Sequence, residues 1–547
     1  MEQTIDCLLI GHNEMDFEVY EKSVKDMGTS SGAYRDLNLS FLHYNDNPYT
    51  VSMIFNLFNG NDNPAKGSVK PVGYGETFSA AVAYLGTYLH KRGFTFDYIN
   101  SFQSGKEELA QKLKTGNICT IAITTTLYVS VFPILEIIDF IKRYNRAVKI
   151  IVGGPFVSTK VRTLSGMELQ YLFNTISADF YVDNSQGEST LVNLIRATKN
   201  NLPLEKIDNI YYKTANDGVY TATPYLKENN RLSENLVDWS LFSHNPAEYV
   251  NIRTAISCPF SCSFCGFPRH AGEYQTAAAL DIERELTGLQ KIKKVKGIHF
   301  IDDTFNVPAK RFKEILKMMI KNRFNFSWHS YFRCQYADRE TLDLMKESGC
   351  EGVFWGLESG NEQILKNMNK TADLEKYLRG IALLKEYDIV TFGSFIVGFP
   401  GETYETVQDT IQLIEQSEID FYRAQPWYCE PITPIWHERE KYNIAGSHFE
   451  WSHETMDYKE ACDLIDEILV SIDKSTWTPQ YDFDFDTIFH LMHRGMSLEQ
   501  VKYFLNGFSQ GIKEKLIDPD KKNVSPEVLM KLKESCLIYP PAGSGTG

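Results

Sequence analysis

Short apolar runs alternate with helix-spaced apolar repeats through most of this chain, and that alternation restricts it to parallel-sheet architectures. The first run, Asp6-Cys-Leu-Leu-Ile-Gly11, reads as a buried strand. After an aromatic, Asn-rich stretch to about residue 72, Phe78, Ala81, Val82, Leu85 and Leu89 repeat at helical spacing and stop at Gly93. Strands are expected at 95–99, 118–126, 148–152 and 180–182, with helices at 105–114, from Val131 to Ile141, and after Gly187. Such a sheet is covered by helices on both faces and binds ligands beyond the carboxyl ends of its strands. Gly153-Gly154 falls at one such end, where it serves either a tight turn or the close approach of a large planar ligand. No GxGxxG follows the first strand, so the nicotinamide fingerprint is absent.

A hairpin over 207–225, turning at Asn216-Asp217-Gly218, precedes a second series of strands at 251–256, 297–301, 327–332, 352–357, 391–397 and 420–425. Six strand–helix units predict a partial or full βα barrel with its chemistry at the carboxyl strand ends. Beyond about residue 430 the pattern turns helical and aromatic. There Asp482-Phe-Asp-Phe-Asp486 alternates as an exposed strand edge or a capping loop would, and His490 and His493 read as packing or surface residues. Acidic residues outnumber basic ones by 71 to 56, a net charge of −15 that excludes a nucleic-acid partner. No basic, apolar leader opens the chain and no apolar stretch reaches membrane-spanning length, so a cytoplasmic protein without a membrane partner is expected.

Of the ten cysteines, seven are scattered singly and are expected to be reduced thiols. The other three, Cys258-x3-Cys262-x2-Cys265, follow an expected strand directly. Three thiolates at this spacing can converge on a soft metal centre. Zinc would take a fourth ligand, for which His270 is nearest. A four-iron, four-sulfide cluster on three cysteines would keep one iron open to activate a small molecule.

The loop, with Phe264 before Cys265, resembles the signature of radical S-adenosylmethionine (SAM) enzymes. Three later segments match in order: Phe300-Ile-Asp-Asp-Thr-Phe-Asn306, Gly356-Leu-Glu-Ser-Gly360 and Ile396-Val-Gly-Phe-Pro-Gly-Glu402. They resemble the second-, fourth- and fifth-strand motifs of the subgroup that carries an N-terminal cobalamin domain. Ile150–Ser158, Ala178–Val182 and Gly187-Glu-Ser-Thr190 resemble segments of that cobalamin domain. Its Asp-x-His-x-x-Gly loop is missing, because Tyr88 stands where Asp would precede His90 and Gly93. No histidine is therefore expected to coordinate cobalt, and His90 reads as a helix-surface residue. Asp6–Phe17 and Ser31-Gly-Ala-Tyr-Arg35 are similar to P-methyltransferases of the phosphinothricin biosynthesis type, which methylate the phosphorus of a phosphinate.

The resemblance implies an α/β chain in four parts. A Rossmann-like, flavodoxin-like cobalamin domain spans 1–205 with an insertion at about 29–72, and a hairpin and linker span 206–247. A partial (β/α)6 radical SAM barrel spans 248–430, and a helical cap spans 431–547. Cys258, Cys262 and Cys265 would hold the 4Fe-4S cluster. Phe264, Asp303, Arg333, Glu358, Ser359, Gly398 and Phe399 would contact SAM, with Arg333 on its carboxylate. Thr125, Gly153, Gly154, Pro155, Gly187 and Glu188 would contact cobalamin. Arg423 would bind substrate oxygens, and Tyr428 and Cys429 are candidate donors near the barrel mouth. The implied reaction moves a methyl group from SAM through methylcobalamin to an unactivated centre, for which an anionic phosphinate is the expected small-molecule substrate. A flavodoxin or ferredoxin is the expected electron donor. The alternatives are carbon methylation, cyclisation or rearrangement on the same cofactors, and, more distantly, a zinc-stabilised regulatory binding module.

Overall fold

The computed structural model describes residues 4–62, 71–73, 76–126, 128–214, 218–244 and 247–537. Five parallel strands, Ile5–His12, Phe96–Ser101, Ile118–Thr124, Lys149–Gly153 and Phe180–Val182, form the first sheet. Numbered along the chain, their spatial order is 2-1-3-4-5, the flavodoxin-like arrangement. The central strands are apolar on both faces: Leu8, Leu9 and Ile10, and Ile150, Ile151 and Val152, are all buried. Helix Phe132–Tyr144 covers one face with Ile134, Ile137, Ile138 and Ile141, a single stripe at 3.6-residue spacing. The expected hairpin forms from Ile210–Lys213 and Tyr220–Ala222, and it extends this sheet with two antiparallel strands. Asn216 and Asp217 of its turn lie outside the described residues.

The second sheet contains the six expected strands, Tyr249–Ile252, Gly297–Phe300, Ser327–Tyr331, Cys350–Glu358, Val390–Val397 and Phe421–Pro426, each parallel to the next. Two short strands flank them. Thr77–Phe78, from the N-terminal half, pairs with the first, and Thr476–Trp477, from the C-terminal region, pairs with the sixth. The partial barrel is thus edged by both other parts of the chain. No helix among the described residues is long and apolar enough to cross a membrane.

The stretch before residue 72 is built of helices Gly32–Asn38 and Val51–Asp62 around the hairpin Phe41–Tyr44/Asn47–Thr50. Ser31 caps the first of these helices, and Arg35 reaches across to Asp463 at 2.8 Å and Asp466 at 2.7 Å on helix Tyr458–Ser471. Buried Lys515, from helix Leu498–Ile517, donates to the carbonyls of Asn38 (2.6 Å) and Phe41 (2.5 Å). The Ser31–Arg35 motif therefore joins the N-terminal insertion to the C-terminal helices. Asp482–Asp486 is not an exposed strand edge. It is a half-buried loop leading into helix Phe485–His493, because Phe483 and Phe485 turn into the core. His490 stacks on Tyr249 with ring centroids 3.6 Å apart, and His493 bonds Glu351 at 2.7 Å, so both are packed as expected. His90 is exposed on its helix, and none of the ten cysteines is paired in a disulfide.

Gly32 is a point of close approach, since a Cβ there would stand 2.2 Å from the Phe449 carbonyl oxygen. Gly32→Ala should therefore destabilise the docked insertion by about 1–3 kcal/mol, read as a lowered denaturation midpoint.

Candidate active site at the facing strand ends

The cysteine loop leaves the first barrel strand through Thr254 and Ala255, and both are fixed by one buried carboxylate. Asp302 accepts from Thr254 N at 2.6 Å, from Ala255 N at 2.8 Å and from the Thr254 hydroxyl. Arg311 adds donations of 2.7 Å to the Thr254 carbonyl and hydroxyl oxygens. Burial pushes the Asp302 carboxyl up, and the Thr254 bonds and the Arg311 charge oppose that shift. On its far side the loop is held by Ser263 N to the Met368 carbonyl (2.8 Å) and by Asn369 to the Ser261 carbonyl (2.8 Å).

Arg333 lies against this loop. Its guanidinium carbon sits 3.5 Å from the Phe260 ring centroid and its Nη2 lies 3.6 Å from Cys262 Sγ, while Nη1 is buried without a partner. Asn306, the last residue of the second-strand motif, pins the Arg333 backbone with two bonds of 2.9 Å. Phe264 meets Phe399 edge-on at 6.5 Å, and Lys370 is 5.9 Å from the Phe264 ring and 2.8 Å from Glu358. Gly398 adopts φ +91°, and a Cβ there would overlap the Trp451 ring at 2.3 Å. The fold thus gathers Phe264, Arg333, Glu358, Gly398 and Phe399 around the loop. Ser359 is fully buried, with its hydroxyl accepting from Asn361 N at 3.2 Å.

A cavity of about 690 Å³ opens between the carboxyl ends of the two sheets. Gly153, Gly154, Pro155, Gly187 and Glu188 form part of its wall. Thr125 stands just behind, bonded to the Gly153 carbonyl at 3.0 Å. Gly154 has φ +115° and ψ −170°, a region open essentially to glycine alone, and a Cβ there would lie 2.8 Å from Thr125 Oγ1. His12, at the end of the first strand, also stands in the wall. On the barrel side Asp303 faces the cavity, and lost hydration followed by repulsion from Asp302 pushes its carboxyl up to about 7. Arg423 reaches in from the sixth strand over the Phe392 ring (4.9 Å), with Asp484 at 3.4 Å and its Nε buried without a partner. Tyr428 and Cys429 lie beyond that strand, where Cys429 pairs its backbone with His448 and burial pushes its thiol up to about 12.

The cavity wall also contains Arg253, Asn251 and His299, which no sequence motif singles out, together with Asp484 and Asp486 of the Asp482–Asp486 run. His299 and His329 occupy paired positions on adjacent strands, a register signal visible in Gly-Ile-His-Phe and Ser-Trp-His-Ser once those strands are aligned.

The residues present fit the implied groups. Among the described residues, the group that brings three metal-ligand atoms within 4.8 Å of one another is His299, His329 and Asp486. Beside the cysteine loop, the buried and unpartnered Arg333 Nη1 suits a carboxylate such as that of SAM. The stretch of wall at Gly153, Gly154 and Gly187, where the backbone itself faces the cavity, suits the close approach of a broad, flat ligand such as cobalamin.

The Radical SAM superfamily pattern matches residues 252–414, and the B12 binding domain pattern matches residues 71–171. An uncharacterised methyltransferase of Pyrococcus horikoshii is 26% identical over 345 residues, 62% of this chain and 72% of that protein. The anaerobic magnesium-protoporphyrin IX monomethyl ester cyclase of Cereibacter sphaeroides is 24% identical over 66% of this chain and 60% of its own length. The structure of the radical SAM methyltransferase TsrM from Kitasatospora setae, with cobalamin and a [4Fe-4S] cluster bound, superposes with a TM-score of 0.59 at 16% identity, covering 85% of this chain and 97% of that one. The chain therefore carries a segment matching the B12 binding domain followed by one matching the Radical SAM superfamily, in a fold shared with that structure. The two matched segments imply a 4Fe-4S cluster, SAM and cobalamin as the cofactors, and the relatives named are similar to this chain without giving it their activity.

Glu402 closes the fifth-strand motif. It accepts from Gly398 N at 2.5 Å, and burial pushes its carboxyl up to about 8. The folded state therefore holds a proton that the unfolded state has lost. Its contribution is complete below the unfolded value near 4.5 and is lost as pH rises through about 8. Thermal unfolding should show stability falling across this window by up to about 1.4 kcal/mol per pH unit, with Glu402→Gln flattening the slope.

Proposed function

We propose that this enzyme methylates the phosphorus of an anionic phosphinate held in the cavity between the two sheets. When bound, the cluster and SAM supply hydrogen abstraction and cobalamin supplies a transferable methyl group. The chain contributes position and enclosure. Cys258, Cys262 and Cys265 hold the cluster, with Arg333 and Glu358 as SAM contacts and Gly153, Gly154 and Gly187 as the cobalamin face. Arg423 is the anion anchor, and the observation that carries this reading is its buried, unpartnered Nε at the cavity wall. A guanidinium fits two oxygens on one phosphorus, and Asp484 at 3.4 Å is too distant for a strong bond to occupy it fully. The similarity of the N-terminal segment to P-methyltransferases supports the same acceptor. A reduced flavodoxin or ferredoxin in the cytoplasm serves as electron donor, and the absence of disulfides among the ten cysteines supports a reducing compartment.

A second reading, cyclisation on the same cofactors, is favoured by the similarity to the protoporphyrin ester cyclase. Supplying SAM with a deuterated methyl group, cobalamin and a P–H phosphinate to the reconstituted enzyme separates the two. Phosphorus methylation gives labelled product, while cyclisation gives 5′-deoxyadenosine with no label transferred. Arg423→Gln should raise KM for the phosphinate at least tenfold, in line with loss of a charged hydrogen bond worth about 1.5–3 kcal/mol, while cluster content stays unchanged.

A further inference from the structure

The barrel interior holds a second constellation that the cofactor chemistry leaves unused. His299 on the second strand and His329 on the third are direct register partners, so their side chains leave the sheet on the same face. Asp486, in the first turn of helix Phe485–His493, comes up against both. Its Oδ1 lies 3.0 Å from His299 Nδ1 and 3.1 Å from His329 Nε2. One imidazole nitrogen from each histidine and one carboxylate oxygen lie within 4.8 Å of one another. Both imidazoles are more than nine-tenths buried, at 7% and 2% exposure. Their orientation is set by packing: His329 stacks on Phe489 at 4.6 Å and meets Phe485 edge-on at 5.4 Å, while His299 lies against Tyr331 at 5.2 Å.

We infer that His299, His329 and Asp486 form a site for one divalent cation of the zinc class, with its remaining coordination positions open to the cavity. Two imidazoles and a carboxylate are a common ligand set for such ions, and bonds of about 2.0–2.1 Å put neighbouring donor atoms about 3.3 Å apart. The observed 3.0 and 3.1 Å match that spacing. His299 and Asp486 belong to the cavity wall, so the open side faces the space where substrate binds.

Two further observations fit. His299 Nε2 is buried without a hydrogen-bond partner. Ligation through Nδ1 fixes the proton on Nε2 and turns it into a donor for a ligand in the cavity. The wall also places Glu188, Asp302, Asp303, Asp484 and Asp486 against two guanidiniums, Arg253 and Arg423. An anionic substrate is poorly served by that balance, and a dication beside Arg423 corrects it. The metal's role toward an anionic substrate oxygen rests on the proposed phosphinate reading; the metal site itself does not.

The test uses cluster-loaded, cobalamin-bound enzyme, in which the three loop cysteines are already occupied by iron. It is titrated with zinc and, separately, with cobalt(II), followed by removal of free metal and elemental analysis. We expect one tightly held zinc per chain in the wild type, and at least a tenfold loss of affinity in Asp486→Asn and in His329→Gln. Cobalt(II) should give ligand-field bands without thiolate charge transfer. Circular dichroism and iron content identify any variant that has lost its fold, and the second variant then decides. Equal zinc retention in wild type and folded variants, no retention in the wild type, or thiolate bands for cobalt would each overturn the inference. An enzyme that binds zinc here but methylates no phosphinate overturns the proposed acceptor and leaves this site standing. An enzyme that methylates phosphinate and retains no zinc does the reverse.

Discussion

One buried carboxylate organises the catalytic end of the barrel. Asp302 takes three donors from Thr254 and Ala255, at the point where the first strand becomes the cysteine loop. A carboxylate removed from water is costly unless its lone pairs are satisfied, so this residue enforces the local geometry. Arg311 lies beside the same Thr254, which offsets the charge and ties a barrel helix to the loop base. Asn306 does equivalent work for Arg333, and the loop's far side rests on the Met368 backbone. The three cysteines are thus presented by a frame of hydrogen bonds that they do not themselves make.

The second organising feature is the way two parallel sheets face each other across a common cavity. Each sheet alone would offer a crevice at its carboxyl edge. Thr77–Phe78 pairs with the first barrel strand, so the N-terminal half is joined to the barrel by backbone hydrogen bonds. At the opposite edge Thr476–Trp477 pairs with the sixth strand, and the following segment carries Asp484 and Asp486 inward. The floor of the site therefore depends on contacts among all parts of the chain. The Arg35 and Lys515 links between the insertion and the C-terminal helices hold that arrangement from outside.

The motifs were legible as positions, and their residues then divided by task. In Phe300–Asn306, Asp302 and Asn306 are structural anchors while Asp303 faces the cavity. In Gly356–Gly360, Gly360 is a close approach whose Cβ would lie 2.4 Å from the Asp409 carbonyl oxygen, and Ser359 is buried with it. The Asp482–Asp486 alternation fits a strand edge or a capping loop equally from sequence, because period-two spacing does not reveal which neighbours cover it, and the structure makes it a loop. Its phenylalanines are core, Asp484 and Asp486 turn toward the barrel interior, and Asp482 turns to Thr50 and Ser52 of the insertion. His299 and His329 carry no local signal, since each is one polar residue within an apolar strand.

The sequence by itself determined the element order, the two parallel sheets, the cysteine loop and the family motifs, because periodicity and short spacings are properties of neighbours along the chain. Only the tertiary structure decided which of those residues meet. The pairing of His299 with His329 depends on strand register, and the approach of Asp486 depends on a helix almost two hundred residues away closing the barrel. Arg423 likewise became a cavity residue through the inward face of its strand and the packing of Phe392 beneath it. Long-range contacts of this kind follow from burying apolar faces against one another, and no local pattern encodes which faces those will be.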